Sequence, residues 1–389
     1  MLISPFFPDS PAVDQTRKLV AGFAHVTAED DAAGKFPHRN IQALRQAGLL
    51  ALTAPIRATE NESALRGAGL GVAAQVVREI GQVDPSSALI VVMQYAHLAT
   101  LHQGRWHPTL VERVVSDAVS HGALINALRV EPDLGTPMRG GIPQTTARRT
   151  ADGWRLSGRK IYSTGSEGLT WAVVWARTDD AEPLVGQFLV PMAAPGVRIQ
   201  PNWDTLGLRS SSSHDVIFDD VALPADYAAD IRPPQDWARR SDDISAWIGL
   251  LIGALYTGVA EAARDWIVGF ARDRVPANLG KPLAELPRMQ EAVGALQERL
   301  TINRRLIATA AAEVDAGHLP PGTEIAILKH TLTENAIAAV EQALKLAGNH
   351  GISRRNPLER HYRDVLCGRI HSPQEDSVFI AAGRAALGL

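Results

Sequence analysis

Little in this sequence could cross-link it, bind a metal cluster or draw it to a charged partner. Its 389 residues contain one cysteine, Cys367, so neither an internal disulfide framework nor a multi-cysteine metal site is available. No histidine pair has the H-x-x-x-H spacing that a helix offers to zinc, and no metal is expected. The formal net charge is only −3, which gives no electrostatic reason to expect nucleic acid or an acidic membrane surface as a partner. Met1 to Ser10 lacks a basic stretch followed by an apolar one, so a signal peptide is not expected and a cytoplasmic location is. One segment calls for a membrane test, the uncharged run Ile244 to Ala260. It falls short of the roughly 20 apolar residues of a spanning helix. Asp242, Asp243, Glu261 and Arg264 flank it, and Gly249, Gly253, Ala254 and Gly258 within it would let other helices approach closely. It reads as a buried core helix.

With 46% apolar and 21% charged residues, the composition is that of an ordinary soluble globular protein, and the length suits two or three domains. Three zones follow one another. Residues 1–122 are patterned as helices, with apolar residues three and four apart at Leu44, Ala47 and Leu50 and again at Ala73, Val76, Val77 and Ile80. Asp84-Pro85-Ser86-Ser87 is a helix start, and the helix after it carries Gln94, Tyr95 and His97. Residues 123–235 switch to short strands, among them Trp154 to Gly158, Ala172 to Ala176, Gln187 to Val190, Val197 to Ile199 and Val216 to Phe218. Turn residues punctuate them, which argues for a small β-barrel or sandwich. Arg232-Pro233-Pro234 reads as a linker. Residues 236–389 return to helical periodicity, broken at Pro276 to Pro282 and His318 to Gly322. The fold class is α+β.

Five segments carry more specific information. They are Asn126 to Gly135 (with Val130, Glu131 and Pro132), Arg159 to Gly165, Asp204 to Ser210 with Val216 to Val221 and Pro224, Gly348-Asn349-His350-Gly351, and Leu358 to Pro373 with Arg363-Asp364. In this order they resemble the acyl-CoA dehydrogenase superfamily. The resemblance implies an N-terminal helical domain, a central β-barrel domain and a C-terminal four-helix bundle that pairs into dimers or tetramers. It also implies a flavin cofactor, FMN or FAD. Tyr162, Ser163 and Thr164 would meet the isoalloxazine, with Asn126 and Val130 in the covering loop and Gly348, Asn349 and Gln374 in the C-terminal segment. Arg274 would reach the flavin pyrophosphate of a neighbouring subunit. Residue chemistry supports part of this independently. Tyr162 can cover an apolar ring face, Ser163 and Thr164 can donate to ring nitrogens and oxygens, and glycines permit close backbone approach. The plainer alternatives are a core aromatic with hydroxyls capping a strand, and a helix C-cap after Ala347.

The reaction is where this sequence departs from the family. Dehydrogenation of an acyl-CoA needs a base for the α proton. The position that usually supplies a glutamate is Ser372 here. The alternative place on the first long C-terminal helix falls near Trp247 or Ile248, neither acidic. General base catalysis is worth roughly 10²–10⁴-fold, so its loss leaves a poor dehydrogenase unless Glu375 or Asp376 substitutes. Near the expected thioester site, Thr136 is followed by Pro137 to Gly141 instead of the usual Gly-Ser-Asp. The pattern is similar to the two-component flavin monooxygenase branch, which lacks the glutamate and carries a histidine after Arg-Asp, as His371 does here. Such enzymes take reduced flavin from a separate reductase and use it to activate O2. An imidazole with a pKa near 6.5 could exchange protons in that task. His97 resembles a second histidine of that branch. The alternatives are structural bonds for both histidines. His214, His330, His350 and His361 show no functional pattern. Three functions therefore stand: a monooxygenase acting on a small organic molecule, an acyl-CoA dehydrogenase or oxidase-like relative with a displaced base and an electron-transfer partner, and a non-catalytic flavin- or acyl-CoA-binding scaffold.

Overall fold

The computed structural model describes residues 10–55, 67–134, 141–237 and 242–389. Thr136 and residues 137–140 therefore lie outside the described part. Six helices come first: α1 (Pro11–Val20), α2 (Ala24–Ala33), α3 (His38–Gln46), α4 (Leu70–Gly81), α5 (Pro85–Thr100) and α6 (Pro108–His121). Helix α5 begins where its sequence says it should. Asp84 accepts the Ser87 N–H at 3.0 Å, and Pro85 occupies a first-turn position whose N–H would lack a partner anyway.

Eight strands follow: β1 (Leu124–Leu128), β2 (Thr146–Thr150), β3 (Gly153–Lys160), β4 (Leu169–Thr178), β5 (Val185–Pro191), β6 (Val197–Gln200), β7 (Asp215–Leu223) and β8 (Ala228–Arg232). They form one sheet in the order β6-β7-β3-β2-β4-β5-β8, with β1 also on β4. Among the described residues the outer strands β6 and β8 do not pair with each other, so the expected barrel is open on that side. The sheet also divides at β4. Its first part pairs in parallel with β1 as far as Val174, while its end pairs in parallel with β2 at Arg177 and Thr178. The apolar run in β4 does not alternate because both of its faces are covered. Ala172, Val174 and Ala176 enter the main core, and Trp171 and Val173 enter a second core built with α6.

The C-terminal part contains α7 (Asp242–Asp273), α8 (Pro287–Asp315), α9 (Gly322–Ala347), α10 (Leu358–Leu366) and α11 (Glu375–Leu387). Three long helices make up the bundle. The shorter α10 packs on α7 and α9, and α11 packs on α9. Helix α7 is the hub, touching α4 and α5 as well as α8, α9 and α10. It is apolar all round because it has neighbours all round, and 78% of its most apolar stretch is buried within the fold. Its small residues allow those approaches. A side chain at Gly249 would meet Ile325, one at Gly253 would meet Leu332, and one at Gly258 would strike the Arg78 carbonyl of α4. At Gly81 of α4, a Cβ would lie 2.7 Å from the Leu255 carbonyl, so the close approach is reciprocal.

Two glycines of α7 should respond with opposite signs. Gly258→Ala drives a methyl into backbone that cannot yield and should destabilise the protein by about 1–3 kcal/mol. Gly269→Ala meets nothing within 4 Å and should stabilise it by about 0.5–1 kcal/mol through helix propensity. Urea-unfolding midpoints of the two variants check this.

Candidate functional site

Strand β3 delivers the first half of the site. The phase of Trp154, Leu156 and Gly158 turns Lys160 inward, where its side chain is wholly buried. The ammonium donates to Glu131 Oε1 and to the Trp175 carbonyl, each at 2.6 Å. Glu131 also accepts the Thr145 hydroxyl at 2.6 Å and the backbone N–H groups of Thr145 and Gln144 at 3.0 and 2.6 Å. Burial works to raise the Glu131 pKa, but Lys160, Thr145 and Gln144 together hold it below the ordinary glutamate value. Burial brings Lys160 down to about 8 against the pull of Glu131. Glu131, expected in a loop over the flavin, is thus an internal anchor.

Immediately beyond, the chain turns sharply. Ile161 N–H bonds to Val130 O at 3.0 Å, and Tyr162 adopts the left-handed conformation with φ 55°. Its ring is 61% exposed and stands edge-on to Trp203, with centroids 6.2 Å apart. Leu208 and Ser212, in the facing loop, are left-handed as well. Such residues cost about 1–2 kcal/mol each and persist only where their surroundings hold them. His214 does part of the holding. Its Nδ1 accepts the N–H groups of Asn202 and Trp203, both at 2.9 Å, which places the proton on Nε2, 3.1 Å from Glu167 Oε1.

Asn126, Val130, Tyr162, Ser163 and Thr164 are brought together, though not all as ligand contacts. Asn126 is buried and spends its amide on the Thr164 carbonyl (3.0 Å) and the Ala127 N–H (2.7 Å), so it braces the turn from behind. The Thr164 hydroxyl accepts from Ser213 at 3.1 Å. The Ser163 hydroxyl is 1% exposed and has no hydrogen-bond partner within the protein.

Helix α10 ties this loop to the second half. Leu208 N–H donates to Asp364 Oδ1 at 2.7 Å, and Arg363 binds the Leu206 carbonyl, Glu359 and Asp31 at 3.0, 2.8 and 2.7 Å. Burial and Asp31 push the Asp364 carboxyl up to about 7, against Leu208, Arg360 and Arg363. The segment after α10 carries His371, whose Nε2 lies 2.8 Å from the Tyr256 hydroxyl of α7. Burial, and then the charge of Lys329, push the imidazole down to about 3, and burial raises Tyr256 well above its usual value. This corrects the expectation of a histidine titrating near neutrality: the pair is uncharged throughout the physiological range.

Ser372 follows, partly buried, and Gln374 begins α11 at its N-cap position. Glu375 and Asp376 are exposed in the first turn of α11, where Asp376 accepts the Ser377 N–H at 2.8 Å. They serve the helix start. On α5, every residue from Pro85 to Leu98 is buried except Met93 and His97. These two are one turn apart, so they form a single accessible stripe on an otherwise enclosed helix.

Arg274, Gly348 and Asn349 lie elsewhere. Arg274 is exposed just past α7, and Gly348 and Asn349 are exposed in the turn after α9, where His350 packs on Phe270 with centroids 5.0 Å apart. That end of the bundle is about 27 Å along α7 from Tyr256. Within one chain these three cannot join the others.

Sequence reasoning passed over Lys160, Lys329, Tyr256 and His214. The first two had a signal, since each lysine falls in phase with buried neighbours. Those neighbours are Trp154 and Leu156 for Lys160, and Ile325, Leu332 and Ala336 for Lys329. His214 had none. Lys160→Met should strand a buried carboxylate and lower stability by about 3–5 kcal/mol at pH 7. In the wild type, the depressed Glu131 pKa contributes stability above the unfolded value of 4.5 that is lost as pH falls through the folded value. In the variant the pull of Lys160 is gone, and burial raises the Glu131 pKa against only the Thr145 and Gln144 hydrogen bonds. The deficit should therefore shrink as pH drops below about 4.5, as denaturation at pH 7 and pH 4 would show.

Comparison with known proteins places this arrangement. The acyl-CoA dehydrogenase middle-domain profile matches residues 130–221, and the acyl-CoA dehydrogenase C-terminal-domain profile matches residues 249–372. YdbM of Bacillus subtilis (strain 168), a provisional acyl-CoA dehydrogenase, is 31% identical over 370 residues, covering 94% of each chain. The L-evernosamine nitrososynthase of Micromonospora sp. (strain ATCC 39149 / NRRL 15099 / SCC 1413) is 29% identical, covering 98% of this chain and 92% of that one. The structure of KijD3 in complex with FMN and dTDP-3-amino-2,3,6-trideoxy-4-keto-3-methyl-D-glucose matches with a TM-score of 0.82 at 28% identity, over 98% of this chain and 95% of that one. Fold, profiles and a near-full-length relative agree: the chain belongs to the acyl-CoA dehydrogenase superfamily and is a flavin-dependent oxidoreductase of that family.

Proposed function

We propose that this protein is a flavin-dependent monooxygenase that uses reduced flavin and O2 on a small organic substrate. The observation that carries the reading is the uncharged His371–Tyr256 pair beside Ser372, where an acyl-CoA dehydrogenase would need a carboxylate. An imidazole held near pKa 3 is too weak a base to take an α proton, but as a neutral ring it can still donate or accept a hydrogen bond. The acids close in sequence are engaged elsewhere: Asp364 holds Leu208, while Glu375 and Asp376 face outward at the start of α11.

The residues fit a flavin. Tyr162 offers an exposed ring face, and Ser163 keeps an unpaired buried hydroxyl beside it. When bound in its reduced form, the flavin supplies the electrons that O2 requires. The chain's own contribution is to hold, orient and shield. Tyr162 covers a ring face, and Ser163 and Thr164 provide hydrogen-bonding groups. His371 presents a fixed neutral hydrogen-bonding group, with His97 on the accessible stripe of α5. Arg274, Gly348 and Asn349 would act on the cofactor of a second copy in a homo-oligomer. Electrons would come from a separate flavin reductase, and the location would be cytoplasmic. The likeness to the nitrososynthase and to KijD3 supports oxidation of a nitrogen or another heteroatom in the substrate.

YdbM, by its name, favours a second reading, an acyl-CoA dehydrogenase working with a displaced base. One experiment separates them. The flavin-loaded protein is photoreduced without oxygen, mixed with oxygenated buffer and followed by absorbance. A transient near-ultraviolet band, distinct from both reduced and oxidised flavin and lasting seconds, is expected. Negligible reaction with oxygen, together with bleaching of the oxidised flavin by an acyl-CoA, would overturn the monooxygenase reading. His371→Ala should retain flavin and lose oxygen transfer, and full activity in that variant would remove His371 from the mechanism.

A further inference from the structure

Lys329 lies on the face of α9 turned into the core, with Ile325, Leu332 and Thr333 as its buried neighbours. It is 3% exposed. An ammonium has three N–H donors, and all three here go to carbonyls of a single loop: Gly368 at 3.1 Å, His371 at 2.6 Å and Pro373 at 3.3 Å. Among the described residues no carboxylate is within ion-pair distance of Lys329. Glu334, on the same helix, is already bound by Arg369 at 2.9 and 2.8 Å. The loop can lie this close because residue 368 is glycine, where a Cβ would strike Thr333 and lie 3.2 Å from the Tyr256 ring. A methionine could occupy the same space without desolvating a charge, so packing does not explain why a lysine is used.

We propose that Lys329 is a positioning residue for the proposed flavin-facing loop: its ammonium clamps the carbonyls of Gly368, His371 and Pro373 and so holds the His371 ring against Tyr256. This rests on the reading of His371 given above, but the contacts that carry it lie wholly within the chain. Burial lowers Lys329 itself to about 8, with Glu334 opposing. As pH rises through that value the ammonium becomes an amine with two N–H groups, which cannot satisfy three carbonyls. The other titratable groups around the pair are Tyr256 from α7, Asp364 and Cys367 from α10 and its following turn, and Glu334 with Arg369.

The test uses full-length, flavin-loaded protein with ring-labelled histidine, comparing wild type with Lys329→Met and Lys329→Gln by NMR from about pH 5 to 8. His371, assigned by its loss in His371→Ala, should not titrate in wild type. In Lys329→Met the charge is gone and the loosened loop admits water, so the His371 resonance should drift as pH falls toward 5. Lys329→Gln keeps N–H donors without the charge and should give a smaller drift in the same direction. Superimposable His371 shifts in folded wild type and Lys329→Met would overturn the proposal. If neither variant folds, the wild type decides: its His371 resonance should move on the alkaline side as the Lys329 ammonium loses a proton and the three-carbonyl clamp opens, and a resonance unchanged from about pH 7 to 11 would overturn the clamp. If no oxygen-derived transient forms but the His371 shifts move as stated, the function is wrong and the clamp stands.

Discussion

The buried Lys160–Glu131 pair is the constraint on which the proposed flavin face depends. Taking two charges out of water costs several kcal/mol for each, and only good geometry with further hydrogen bonds repays it. Here five bonds meet on two side chains, and the groups come from four segments of the chain, two of them the strands β3 and β4. The location explains why polar groups are needed. Strand β4 changes partner between Val174 and Arg177, from β1 to β2, so the ladder leaves the Trp175 carbonyl to be satisfied by other means. The ammonium of Lys160 satisfies it. A hydrocarbon would fill the gap but leave that carbonyl bare. The next residues along β3 are the turn itself, so the pair fixes where Tyr162 emerges.

From that anchor a chain of contacts runs to the helical half. Tyr162 leans on Trp203, whose N–H is held by His214 and whose indole donates to the Leu208 carbonyl at 3.1 Å. Leu208 in turn donates to Asp364 of α10, and α10 leads to His371. Three non-glycine residues, Tyr162, Leu208 and Ser212, sit in left-handed backbone within this stretch. Strain of this kind is tolerated where the surroundings determine the conformation, and here each strained residue or its loop is tied into the network. The strand-borne ring and the helix-borne imidazole are thereby coupled mechanically, although they lie more than 200 residues apart in the chain.

Elements were far easier to foresee from the sequence than environments. The helix after Asp84, the short strands, the core helix at 244–260 and the glycines that let it pack all follow from periodicity and side-chain size, which are local properties. The Arg159 to Gly165 segment was legible for the same reason, as a run of chemistry at a strand end. What each charged or polar group does was not, because burial is set by distant segments. Glu131 looks like a loop residue until Lys160, Thr145 and Gln144 close on it. His371 looks like a near-neutral acid–base group until Tyr256 of α7 binds its ring and Lys329 of α9 sets a charge beside it. Arg274, Gly348 and Asn349 look like members of one site, yet two helices, α7 about 48 Å and α9 about 39 Å long, hold them at the far end of the bundle.

This separation bears on how one fold supports different reactions. The residues proposed to hold the cofactor belong to the strand end, braced by the Lys160–Glu131 pair, and to the far end of the bundle. The residues proposed to govern proton chemistry belong to the short segment 368–374, fastened to α9 through Lys329 and to α7 through the Tyr256–His371 bond. Replacing a carboxylate by Ser372 in that segment leaves the sheet, its buried charges and the helix packing untouched. On the proposed reading, the fold is retained while the task of the site moves from removing a proton to holding a neutral hydrogen-bonding face. On that reading fold and function are set by different residues, and the few proposed to connect them, Asp364 and Lys329 foremost, orient backbone and do not react.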